Sequence, residues 1–154
     1  MEHLNIFGLF FMVIIMIPNI VFAFKCPNGF HNAWRNKKVE LLERIGRFGC
    51  FVLMIFNIPS TWFWFSSDEA FALYLIVNSV MVICYCLIWI ICFKRNSVFR
   101  ALALSIIPSF IFIFSGIMSH AIFLLLAAII FAPCHIMISY KNAVLTNDMK
   151  FRNK

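Results

Sequence analysis

Five apolar stretches without a single Asp, Glu, Lys or Arg, at residues 4–24, 48–65, 70–93, 101–119 and 120–140, constrain this chain more than anything else in it. Each is close to the ~20 residues that an α-helix needs to cross ~30 Å of hydrocarbon. The expected fold class is therefore all-α: a single polytopic membrane domain of five transmembrane helices.

The charges between the stretches give an orientation. Lys25, Arg35, Lys37, Lys38, Arg44 and Arg47 lie between spans one and two. Lys94, Arg95 and Arg100 lie between three and four, and Lys141, Lys150, Arg152 and Lys154 follow span five. All thirteen cations fall on one side; Glu2, Asp68 and Glu69 fall on the other. Cytoplasmic loops carry the Lys/Arg excess, so the N-terminus is expected outside and the C-terminus inside. The expected location is a bacterial cytoplasmic (plasma) membrane. A composition that is 64% hydrophobic and 12% charged excludes an ordinary soluble domain, which would expose large apolar patches. The excess of cations flanks membrane spans, so anionic lipid headgroups are the expected partner and nucleic acid is not. No Lys or Arg precedes the first apolar run, the reverse of a secretory signal, so span one is expected to be retained.

The cytoplasmic loop 25–47 opens with a Pro-Asn-Gly turn at 27–29 and continues as an amphipathic helix over 33–47. Trp34, Leu41, Leu42, Ile45 and Phe48 gather on one face, with Glu40–Arg44 and Glu43–Arg47 as i, i+4 pairs. This helix is expected in the inner headgroup layer, with Trp34 as anchor. Arg35, Lys37, Lys38, Arg44 and Arg47 then contact anionic lipid or a docking partner. Gly46 and Gly49 allow a bend or a close helix contact where it runs into span two. The tail 141–154 is polar and expected to be mobile. Trp62, Trp64, Phe65, Trp89 and Phe93 stand at depths that suit interfacial aromatic belts.

Prolines interrupt four spans, at Pro18, Pro59, Pro108 and Pro133. Each removes a backbone donor and predicts a kink, leaving a carbonyl to be satisfied by a neighbour. Polar residues stand close by. One expectation is that Asn19, Asn57, Asn78 and His135 converge on a polar cavity; the other is that they form interhelical hydrogen bonds that lock the bundle. His135 is the one strongly ionisable side chain well inside a span, which marks it for function. A nine-residue echo aligns 58–66 with 107–115 and suggests a duplicated hairpin.

No catalytic, cofactor-binding or metal-binding set can be assembled from these residues. Cys84 and Cys86 point about 200° apart on a helix, poor geometry for shared ligation. Cys26, Cys50, Cys92 and Cys134 read with them as reduced packing residues. Three functions follow in order of preference. The first is a non-catalytic accessory, regulatory or protective subunit that works by helix contacts. The second is a small transporter or channel, as a homo-oligomer, for a neutral or weakly polar solute. The third is a lipid-modifying enzyme using His135 or His31. A cavity touching at least two of Asn19, Asn57, Asn78 and His135 favours the second.

Overall fold

A computed structural model describes residues 4–26, 33–58, 65–94 and 97–152, with nothing said of the side chains from 150 onward. It contains five helices: α1 (Ile6–Lys25), α2 (Lys37–Ile55), α3 (Asp68–Cys92), α4 (Val98–Met118) and α5 (Ile122–Arg152). Among the described residues there is no β-strand, only an isolated antiparallel bridge between Leu4 and Phe56. Four helices are long and apolar enough to cross a membrane: α1, α3, α4 and α5 over Ile122–Met149.

Helix starts are set by polar side chains that accept the first orphan N–H groups. Asn5 accepts from Gly8 at 2.9 Å, Asn36 from Lys38 and Val39, Ser67 from Ala70 at 3.2 Å and Ser97 from Arg100 at 3.1 Å. The α4–α5 link is a tight turn, with His120 at φ 50°. Pro18, Pro108 and Pro133 stand inside α1, α4 and α5; Pro59 lies outside the described residues.

The helices form one bundle whose ends can be told apart. α1 and α3 run parallel: Phe7 meets Phe71, Phe11 meets Tyr74, and Phe22 meets Trp89 and Phe93. α2 runs antiparallel to α1, its Ile55 carbonyl accepting from the Asn5 N–H at 2.8 Å. It also runs antiparallel to α5, with Gly46 against Phe131 and Gly49 against Ala127. A Cβ on Gly46 would come within 2.8–2.9 Å of the Phe131 backbone, so only glycine permits this approach. One end of the bundle thus gathers Lys25, Lys37 and Lys94; the opposite end gathers Asn5, Asp68 and the α4–α5 turn.

The outer surface is apolar and much of the polarity faces inward, the inverse of a water-soluble bundle. On α3, Ile76, Ile83 and Ile90 are exposed at a seven-residue spacing, whereas Tyr74, Asn78, Tyr85 and Trp89 are buried. On α2, Leu41, Leu42, Ile45, Phe48 and Val52 are exposed while Glu43, Gly46, Cys50 and Met54 are buried.

The structure differs from the sequence expectation at several points. The amphipathic helix expected over 33–47 begins only at Lys37, after the Asn36 cap, and continues without a break into span two as α2, which packs along α5. It stops at Ile55 instead of running to Phe65, and Phe56 through Ile58 are not helical. Asn57 and the pre-proline position of Ile58 disfavour continuation. Phe65 packs on Phe71 and Tyr74 of α3. The polar tail is helical over its described residues, since α5 continues to Arg152. Of the suggested duplicated segment 58–66, residues 59–64 lie outside the described residues; Ile58 is outside any helix, whereas Ile107 is in the middle of α4. Trp89 is buried among the helices; Trp62 and Trp64 lie outside the described residues.

Candidate functional site

All five helices border a cavity of about 550 Å³ in the half of the bundle that carries the cations. α1 contributes Ile15, Met16 and Asn19; α2 contributes Arg47 and Phe51; α3 contributes Tyr85 and Trp89. α4 supplies Arg100, Leu104, Pro108 and Phe112, and α5 supplies Phe131, His135, Ser139, Asn142 and Thr146. The volume falls within the usual range of small-molecule sites, as does the mixture of aromatic wall and sparse polar groups.

The polar groups are held by local geometry. Asn19 is one residue past Pro18, and its Nδ2 donates both to the Ile15 carbonyl and to the Tyr85 hydroxyl, each at 2.8 Å. This ties α1 to α3 at the cavity wall. His135 stacks on Phe131, one turn earlier in α5, with ring centroids 4.6 Å apart. Its Nδ1 lies 2.9 Å from Glu43 Oε1 of α2. With Glu43 as carboxylate, Nδ1 carries the proton and donates it. The same oxygen accepts from Arg47 Nε at 2.9 Å and from Arg47 Nη2. Glu43 is buried, and its Arg47 partner is half exposed.

Arg100 comes from the first turn of α4. Its Nη1 donates to the carbonyls of Cys92 and Phe93, at 3.2 and 3.0 Å, and so caps the C-terminal end of α3. A cation is favoured there by the helix dipole. Its Cζ also lies 5.0 Å from the Phe22 ring centroid and 5.9 Å from that of Trp89, within cation–π range.

The four residues expected to converge do not. Asn19 and His135 line the cavity. Asn78 is fully buried elsewhere, its Nδ2 donating to Ser115 Oγ at 3.2 Å. Asn57 borders a recess of about 10 Å³ beside Leu124, too small for a solute. Asn19, Asn78 and His135 all make interhelical hydrogen bonds, and of these Asn19 and His135 also border the cavity. Ser105, Ser109 and Ser119 bond back to carbonyls four residues earlier in their own helices, as Ser and Thr commonly do in apolar helices. Arg35, Lys37, Lys38 and Arg44 are exposed. Trp34 is half-buried, its backbone N–H donating to Asn142 Oδ1 at 2.8 Å. Cys84 is exposed and Cys86 half-buried, and no group of three metal-ligating side chains occurs among the described residues.

Sequence reasoning missed Glu43, Arg100, Tyr85 and Trp89. It took Glu43–Arg47 only as an i, i+4 pair along one helix, and that pairing is present. The overlooked signal was register: Glu43, Gly46, Cys50 and Met54 share the helix face that carries the small residues. That face packs on a neighbour, whereas the leucines and Phe48 turn outward.

No family model, no curated protein and no solved structure matches this chain, which leaves the cavity as the feature that points to a function.

Proposed function

We propose that this chain is an integral membrane protein that binds a small amphiphilic solute in the cavity at its basic end and acts as a carrier for it. All five helices cross or line the bilayer in this reading, with the N-terminus outside and the C-terminus in the cytoplasm. The thirteen cations support that orientation through the positive-inside bias. The membrane is the plasma membrane of a bacterial cell.

The observation that carries the reading is the cavity itself, walled by five helices and touching both Asn19 and His135. A purely structural accessory bundle has no need of such a volume, because packed interiors leave few voids larger than a water molecule. Pro108 faces the space, where a helix that lacks one backbone hydrogen bond is easiest to bend.

Cysteine accessibility tests the cavity. In a cysteine-free background, Ser139→Cys should react with a membrane-impermeant thiol reagent from the cytoplasmic side of sealed vesicles. Arg44→Cys, on the exposed face of α2, serves as the control. Labelling of the control without labelling of Ser139→Cys overturns the proposal. A reporter fused after Lys154 tests orientation and should be active on the cytoplasmic side.

A second reading has its own support. Arg35, Lys37, Lys38 and Arg44 form an exposed basic stretch at the start of α2, suited to anionic lipid or to an acidic partner subunit. On that reading the chain is an accessory subunit. Pull-down in mild detergent should then recover a stoichiometric partner that is lost when Arg35, Lys37 and Lys38 are all replaced by Glu.

A further inference from the structure

Resting on the solute-binding reading, we infer that the occupant of the cavity is an anion: a singly charged carboxylate or phosphate attached to an apolar body. The sequence pointed to a neutral solute because no charge was visible inside a span. The folded chain places two arginines in the wall of one cavity.

Arg47 and Arg100 both line the cavity with His135, and no Asp or Glu is among the described lining residues. Glu43 stands behind Arg47 and is shared with His135, so one carboxylate answers two cationic or protonatable groups. The carbonyls and ring faces that hold Arg100 orient its guanidinium against the wall. Arg100 is 9% exposed, and attraction between opposite charges is stronger in so apolar a surrounding than in water. An anion in the cavity has both arginines in its wall, and the planar fork of Arg suits carboxylate or phosphate oxygens.

The remainder of the wall describes the rest of the ligand. Ile15, Leu104, Trp89 and Phe112 lead from Arg100 toward the centre of the bundle. An alkyl or aryl body buries against them while its head remains near the arginines. The shared chemistry is an anionic head on an apolar body, whether supplied by a free acid or by a membrane lipid.

The test uses the full chain in nanodiscs of phosphatidylcholine, with radiolabelled decanoate and decanol as probes and empty discs subtracted. Decanoate should bind saturably and at least tenfold more tightly than decanol. Arg47→Gln should weaken decanoate at least fivefold, and Arg100→Gln should do the same. Glu43→Gln should tighten it about threefold, because a competing carboxylate is removed. Should Arg100→Gln fail to fold, Arg47→Gln and Glu43→Gln decide the question through their opposite signs. Phosphatidylglycerol mixed into the discs separates the sources: displacement of decanoate assigns the site to a lipid headgroup, and retention assigns it to a free acid. Both results support an anion. Equal binding of decanoate and decanol overturns the anion inference and leaves the solute-binding reading standing. No change in Arg47→Gln and Glu43→Gln likewise overturns it. Absence of saturable binding by either probe removes the solute-binding reading and this inference together.

Discussion

The two halves of this bundle handle buried polarity in opposite ways. Away from the cations, Asn78 and Ser115 are buried and bond to each other, and Tyr74, Ile111 and Ala128 are wholly buried. Toward the cations, Asn19, Tyr85, His135 and Arg47 are also bonded, yet they border an open volume of about 550 Å³. The first half uses its polar groups to fix helix positions. The second holds its polar groups in place while leaving a face of each toward the cavity. The same residue type, asparagine, therefore performs a structural task in α3 and borders a candidate binding site in α1.

Side-chain bulk should separate the halves most strongly. Ala128 is wholly buried, so Ala128→Phe overpacks the dry half and should cost about 3 kcal/mol. Ala143 lines the cavity, and Ala143→Phe should cost less than about 1 kcal/mol while abolishing solute binding. Unfolding in mixed detergent micelles measures the first effect and equilibrium binding the second. Equal destabilisation by the two would mean that the cavity is not a true void.

Glu43→Ala comes next. It leaves His135 without its carboxylate and frees Arg47, and breaking a buried pair of this kind typically costs about 3–5 kcal/mol. Arg47 is half exposed, so solvent screening should reduce the loss to about 2 kcal/mol. Retention of full stability would show that α2 is held to α5 by packing at Gly46 alone.

A double-mutant cycle on Asn78→Ala and Ser115→Ala should return a coupling of about 0.6–2 kcal/mol, with solute binding unchanged. Binding that weakens with Asn78→Ala would tie the dry half to the site and erase the contrast between them. The smallest effect is expected at the exposed cations. Replacing Arg35, Lys37 and Lys38 by Gln should change stability by less than about 0.5 kcal/mol each, read from the same unfolding curves.

Much of the helical content is legible in the order of residues. The starts of α3 and α4, the turn near His120 and the length of α1 follow from runs of apolar residues ended by charge, Ser or Asn. The inward polarity of α2 is not legible in that way. Its leucines form the more conspicuous face, and amphipathic helices usually turn that face toward the rest of the protein. In an apolar surrounding the rule reverses, since Leu41, Ile45 and Phe48 gain nothing by leaving the surface and Glu43 must find partners inside. The end of span two misleads for a different reason, because hydropathy continues through Phe56 and Ile58 after helical geometry has stopped.

Consecutive residues alone dictate that the chain is helical, that its apolar runs are long enough for a membrane, and that its cations collect at one end. Each of these is local: the length of a run, its polarity, and the charge on either side. Folding in three dimensions was needed to bring Glu43 to His135 across 92 positions of chain, and to turn Arg47 and Arg100 toward one cavity. Such meetings depend on how close two helices can approach and on the rotation of each about its axis. Gly46 against Phe131 sets both for α2 and α5, and no local pattern encodes the partner it will touch.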